Sequence, residues 1–261
     1  MRENPVRQML QAGKPVLNGW LMMPGSLPAE FMAHAGFDSL TIDMQHGMID
    51  FDAALSMLTA ISTTAAVPLV RVPWLDPGIV MKVLDAGAYG VICPMINTRD
   101  DAERLVAATR YAPRGNRSVG PLRAALYGGP DYLAAANDTV LNFAMIETAQ
   151  ALENIDAICS VDGLDAIYLG PADLSLSLTG RVMRDTLEGE IGAATRHVLA
   201  KAREHGVFPC AHTSSTGFAL RLIELGYGFV TCASDSQILN AGAAQALNEM
   251  RAWPAAAARG A

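Results

Sequence analysis

The stretch Asn142 to Ser175, NFAMIETAQALENIDAICSVDGLDAIYLGPADLS, holds one full turn of the pattern that decides the fold. A nearly continuous apolar run, NFAMIE (142–147), ends on a carboxylate, and a helix-period segment, ALENIDAICSV, follows it. A second apolar run, DAIYLG (165–170), then leads through GPADLS to a second carboxylate. Unbroken apolar runs of this length fit strands covered on both faces, the situation in a parallel sheet. If the two runs are neighbouring parallel strands, Glu147 and Asp173 leave them at the same end and point into one cleft.

The same alternation extends outward in both directions. Further strand candidates are VLNGWLM (16–22), SLTIDM (39–44), VPLVRV (67–72), GVICPM (90–95), VFPCAH (207–212) and GFVTCA (228–233). Helical patterns such as FDAALSMLTAIST and TRDDAERLVAATRYA lie between them. Several close at glycine, in AHAG, VLDAG, AREHG and IELG, where a left-handed C-cap favours that residue. Repeated strand-helix-strand units with right-handed crossovers give either a doubly wound sheet or a closed barrel, and eight units favour a (β/α)8 TIM barrel. One domain spanning 1–261 is expected. Two segments break the rhythm. Residues 112–138 are too long for a plain connection and rich in Gly and Arg, which reads as a functional loop over the site or at a subunit contact. A last helix, SQILNAGAAQALNEMRAW, precedes a PAAAARGA tail that is expected to fray.

Composition narrows the partners. With 51% hydrophobic and 17% charged residues, a net charge of -7 and no run of Lys or Arg, the chain lacks the basic face that nucleic acids and anionic membranes require. No stretch reaches the roughly 18 apolar residues of a membrane span, and the N-terminus has no signal-peptide core. Cys93, Cys159, Cys210 and Cys232 are widely spaced without CxxC pairing, so they read as buried free thiols of a cytoplasmic protein. Small metabolites remain as ligands.

Trp20, Asp43, His46, Arg71, Pro94, Glu147, Asp173, His212 and Asp235 all fall at or just past the end of an expected strand, the face on which barrel enzymes build their sites. Glu147 and Asp173 make a hard, oxygen-rich pair suited to Mg2+, Mn2+ or Co2+, and most coordination positions would stay open for water and a bidentate ligand such as a 2-oxo acid. Either carboxylate alone could equally cap a helix or a turn. Gly170, Pro171 and Ala172 lead into a helix N-terminus, whose free N–H groups favour an anion such as the substrate carboxylate. In TIDMQHGMID, Asp43 could orient the His46 imidazole and make it a general base. Arg71 closes an otherwise apolar strand. It could stabilise a developing enolate, pair with Asp43, or do both. Trp20 and His212 would line the pocket. Lys14, Lys82 and Lys201 lie outside strand ends, so a Schiff-base mechanism has no candidate lysine. The loops HTSST and ASDSQ carry hydroxyls but no Gly-rich phosphate cradle, which favours an unphosphorylated substrate.

Taken in order, DxxH after strand two, RVPW on strand three, LDAGAYGVICPM, IET on strand five and GPADLS after strand six resemble the HpcH/HpaI family of class II 2-oxo acid aldolases, over about residues 15 to 250. The resemblance implies cleavage of a 4-hydroxy-2-oxo acid to pyruvate and an aldehyde, and the reverse addition. It implies Glu147 and Asp173 as metal ligands, Arg71 as the enolate-stabilising residue, His46 helped by Asp43 as base, and the backbone around Ala172 as the carboxylate site. It further implies that Asp85 lies near a neighbouring subunit's site, in a hexamer built as a trimer of swapped dimers whose last helix packs on a partner barrel. Gln45, where better-studied members carry an acid, and Met145, where they often carry Gln, depart from the pattern and bear on substrate preference. Oxaloacetate decarboxylation, acyl-CoA cleavage and a non-catalytic oxo-acid-binding role are alternatives that the same residues leave open.

Overall fold

An apolar run with no solvated face is satisfied when one side points into a barrel and the other packs under helices. In the computed structural model, which describes residues 1–252, the eight runs do this. They form β1 (Val16–Leu21), β2 (Ser39–Asp43), β3 (Val67–Arg71), β4 (Gly90–Cys93), β5 (Leu141–Ile146), β6 (Ala166–Leu169), β7 (Phe208–Ala211) and β8 (Phe229–Ser234). Neighbours pair in parallel in chain order and β8 returns to β1, so the sheet is a closed barrel and the protein has the (β/α)8 fold. The four glycines read as helix stops, Gly36, Gly87, Gly206 and Gly226, all have positive φ, between 69° and 115°.

The barrel interior is filled, not hollow. Phe143 and Phe229 pack with tilted rings 5.5 Å apart, Tyr168 meets Phe229 and Trp20 at 6.1 Å, and the Tyr168 hydroxyl lies 2.6 Å from Thr231 Oγ1. Asn18, wholly buried, donates to Thr231 and accepts from Ser39 and Thr41. This satisfied polar layer and the aromatic layer beside it form the rigid floor on which the site stands. All four cysteines are free, and three of them are buried.

Two expectations change. The segment ALENIDAICSV is not one helix but two, Ala149–Glu153 and Ile155–Cys159, broken at Asn154, whose amide donates to Asn97 O at 2.9 Å. Of the two readings of residues 112–138, a loop over the site and a subunit contact, the first does not hold. These residues fold largely into the helices Leu122–Gly128 and Tyr132–Thr139 and pack at the opposite, N-terminal face of the barrel. There Arg123 donates to Ala86 O and Ser62 Oγ, and Arg2 N–H donates to Gly128 O. The buried Arg117 joins Asp85 at 2.7 Å to the Tyr132 hydroxyl at 3.1 Å. The arginines of this stretch bind helix-end carbonyls and the carboxylates of Asp85 and Asp138, which is why an Arg-rich insert here is scaffold and not a lid.

The helix Asp235–Arg251 leaves β8 with almost every later residue exposed. The PAAAARGA tail and Trp253 lie outside the described residues. Among the described residues no helix is long and apolar enough to cross a membrane.

Candidate active site

The C-terminal ends of the strands open into a cavity of about 510 Å³. Trp20, Asp43, His46, Arg71, Glu147, Gly170, Pro171, Ala172, Asp173 and His212, far apart in sequence, all line it.

Glu147 follows β5 directly and is 3% exposed. Met95 sits in the left-handed region at φ 56°, a conformation that is costly for a non-glycine residue, and its N–H thereby donates to Glu147 Oε1 at 2.8 Å. The other oxygen lies against Gly170, where an added Cβ would fall 2.5 Å from Oε2, so only glycine leaves that lobe of the carboxylate clear. Burial, with the nearby Asp173 charge, raises the Glu147 pKa to about 7 despite the Met95 hydrogen bond and Arg71. Asp173 occupies the first turn of the helix Pro171–Thr179, beside backbone N–H groups of the same turn that have no acceptor within the helix. Two carboxylates brought to one cavity, the buried one raised in pKa by burial and by its neighbour's charge and with an oxygen left free of hydrogen bonds, fit a divalent cation. They would hold it without further protein ligands.

A carboxyl that stays protonated to about pH 7 in the fold, but titrates at 4.5 in the unfolded chain, binds more protons folded than unfolded across that window. Chelator-treated protein should therefore lose stability as pH rises from 4.5 to about 7, by an amount on the order of 3 kcal/mol at the upper end. Thermal midpoints across pH check this, and in E147Q the slope in that window should flatten.

Asp43, fully buried at the end of β2, is the most heavily bonded carboxylate of the site. Arg71 grips it in a fork, Nε to Oδ1 at 2.9 Å and the terminal nitrogen to Oδ2 at 2.6 Å. The Trp20 indole N–H donates to Oδ2 at 3.1 Å, and the Gln45 and His46 backbone N–H groups donate to Oδ1 at 3.0 and 3.2 Å. Burial alone would raise the Asp43 pKa, but Arg71 and these N–H donors together hold it below the ordinary carboxylate value. Asp43 thus positions His46 through the backbone rather than by orienting the imidazole, which differs from the expectation and follows from Arg71 occupying both carboxylate oxygens. The Arg71 guanidinium also lies 4.8 Å from the Trp20 ring centre.

His212 meets the Trp20 ring edge-on at 4.8 Å, and its buried Nδ1 has no hydrogen-bond partner. Burial, aided by Arg71, lowers its pKa to about 4, so the ring is neutral at pH 7 and one nitrogen can accept a hydrogen bond from a ligand. Met145 also lines the cavity. Ser236 and Gln237, from the loop ASDSQ, are also in its wall, and sequence reasoning passed over Val182 and Arg184, which line it too. Val182 and Arg184 follow Gly180 in a stretch with no periodicity, whose one signal was an arginine without a helical partner.

Two residues fall elsewhere. Asp85 ends the helix Pro77–Asp85 on the N-terminal face, paired with Arg117, and does not line this chain's cavity. Asp235 accepts from Met22 and Met23 N–H groups and ties the β1 exit to the last helix. Asp156, Glu204 and His205 cluster closely enough to hold a metal ion, but they sit on the surface around Lys201, whose ammonium already pairs with both carboxylates. That cluster is remote from the barrel mouth.

A parallel barrel with buried acids, a forked arginine and a helix N-terminus at its C-terminal mouth defines an enzyme of the (β/α)8 class. Residues 20–240 match the HpcH/HpaI aldolase/citrate lyase family, and the chain belongs to it. It is 47% identical over 249 residues, covering 95% of this chain and 99% of the other, to a hydroxypyruvate/pyruvate aldolase of Rhizorhabdus wittichii. It is 37% identical over 244 residues, 92% of each chain, to a 4-hydroxy-2-oxo-heptane-1,7-dioate aldolase of Salmonella dublin. A crystal structure of a family protein from Burkholderia cenocepacia superposes with a TM-score of 0.87 at 35% identity, covering 95% of this chain and all of that one. The protein is thus an aldolase-type carbon–carbon lyase.

Proposed function

We propose that the protein is a divalent-metal-dependent pyruvate aldolase, cleaving 4-hydroxy-2-oxo acids to pyruvate and an aldehyde and catalysing the reverse addition. The observation that carries this reading is the buried Glu147 carboxylate facing Asp173 beside Arg71 and a helix N-terminus. A Mg2+, Mn2+ or Co2+ ion held by Glu147 and Asp173 would supply Lewis acidity toward an oxo acid. The N–H groups of the first turn at Ala172 receive the substrate carboxylate. His46, projecting into the cavity from the loop after β2, takes the C4 hydroxyl proton as the C3–C4 bond breaks. The electron pair of that bond passes into the pyruvate enolate, whose oxygen the fixed Arg71 fork stabilises, and the aldehyde leaves. Protonation at C3 then gives pyruvate. Trp20 and the neutral His212 wall the cavity and keep water from the enolate.

The names of the two relatives support an oxo-acid substrate and a pyruvate product. The four free thiols support a cytoplasmic protein. Exposed Phe31, Leu220 and Ile238 on one flank support a homo-oligomer in which the last helix reaches a partner barrel.

The test is pyruvate release from a 4-hydroxy-2-oxo acid by chelator-stripped protein, with and without added Mg2+, Mn2+ or Co2+. Metal-restored release is expected, and H46A should slow cleavage by about 10²- to 10⁴-fold while leaving Mn2+ affinity within a few-fold. Pyruvate release undiminished in chelator would overturn the metal requirement. An unchanged cleavage rate in H46A would move the base to another residue.

A further inference from the structure

The wall of the cavity away from Glu147 is formed by the stretch after the helix Pro171–Thr179, and this stretch is pinned on both sides of one residue. On one side the Met183 N–H donates to Ser175 Oγ at 2.8 Å, and that hydroxyl lies 3.0 Å from Met183 O and 2.8 Å from Ala172 O. On the other side Asp185 adopts a left-handed conformation at φ 52°. Its carboxylate accepts from the Ser214 N–H at 2.9 Å and from Ser215 Oγ at 2.6 Å, at the start of the helix Thr216–Leu225. Met95 and Asp185 are the two non-glycine residues with positive φ among the described residues, and each serves the same cavity. Between the two anchors stands Arg184.

Arg184 lines the cavity, is exposed at its rim, and makes no ion pair or hydrogen bond with a described residue. Its charge is felt at His212. The adjacent Asp185 keeps its negative charge, which also reaches His212, but its two oxygens accept from Ser214 and Ser215 and it forms no ion pair with Arg184. Arg71, the other cation of the cavity, is already matched by Asp43. This wall of the cavity therefore carries one guanidinium with no ion-pair or hydrogen-bond partner among the described residues, and Thr213 and Ser214 are further polar lining. A guanidinium without a partner, carried on an anchored stretch of backbone beside a concave site, recognises a carboxylate through two parallel hydrogen bonds.

We infer that Arg184 is a specificity-determining residue that selects, as the electrophile of the addition, aldehydes carrying their own carboxylate. The inference rests on the aldol reading above. The side chain binds the remote carboxylate and leaves the aldehyde carbon toward the enolate, so its contribution is to binding and orientation and not to bond breaking.

The experiment compares two aldehydes of the same four-carbon chain, succinate semialdehyde and butanal, in addition to pyruvate with Mn2+ present. It is run on the wild-type protein, R184Q and R184K. Wild type should favour the carboxylated aldehyde in kcat/KM. In R184Q the ratio of the two kcat/KM values should fall about 10- to 100-fold, chiefly through KM for succinate semialdehyde, with part of it kept in R184K. Exchange of pyruvate methyl hydrogens with D2O, followed by NMR, reports enolate formation without any aldehyde. Normal exchange with no preference for the carboxylated aldehyde, or an equal fall for both aldehydes in R184Q, would overturn the role of Arg184 and leave the aldol reading standing. Neither exchange nor addition with any metal would overturn the aldol reading, and this inference with it.

Discussion

Replacing Glu147 by glutamine is expected to lower kcat/KM for oxo-acid cleavage by at least about 10³-fold, and Mn2+ binding, read by calorimetry or paramagnetic resonance, should be lost with it. Glutamine keeps the volume, so the clear space at Gly170 is respected and the fold should persist. Its amide can also present oxygen to the Met95 N–H. What it loses is the negative charge. The apo protein should gain stability at neutral pH, because burying an ionised Glu147 is unfavourable enough to raise its pKa to about 7. Loss of activity with gain of stability is the pattern of a charge kept for function. D173N should match it in activity and metal binding, but without a comparable gain in stability, since Asp173 is exposed to water. A stable E147Q that still binds Mn2+ tightly would place the metal elsewhere, and the surface cluster of Asp156, Glu204 and His205 would be the next to mutate.

Why the barrel was legible in the chain and part of its site was not has one physical source. A parallel strand is buried on both faces, so GVICPM or DAIYLG has little freedom to be anything else, and the helix-end glycines mark where each return begins. The residues past those strands inherit their position from the sheet. That is why Glu147, Asp173, Arg71, Asp43, His46, Trp20 and His212 could be placed together before any coordinates. The connections obey weaker rules. Residues 112–138 went to the far face because Arg117 and Arg123 find a carboxylate and carbonyl groups there, and nothing local in APRGNRSVG says which face supplies them. Arg184 escaped notice for the same reason, since its place depends on Ser175 and on Ser214 and Ser215, which lie 9, 30 and 31 residues away in the chain. Asp43 and His46 were correctly brought to one loop, but a spacing of three cannot tell an imidazole contact from a backbone one.

The second large effect is expected at Asp43. Asn at this position keeps the shape but offers one carbonyl oxygen where five donors now converge, and its NH2 group would face N–H groups that it cannot accept. It also leaves the Arg71 guanidinium buried without its counter-charge. Removing one member of a buried pair costs about 3–5 kcal/mol, because the remaining charge is stranded in a low dielectric. D43N should therefore unfold at a midpoint lower by roughly 10 °C and lose at least about 10³-fold in kcat/KM. R71K separates these two effects. Lysine keeps the charge beside Asp43, so stability should fall by much less than in D43N. A point-charge ammonium cannot hold both carboxylate oxygens and still face the cavity, so catalysis should fall by about 10²- to 10³-fold. Mn2+ affinity should change little in R71K, because neither metal-site carboxylate bonds to Arg71. If R71K instead kept near wild-type turnover, the buried fork would be a packing device for the floor of the barrel, and enolate stabilisation would rest on the groups around Glu147 and Asp173 alone.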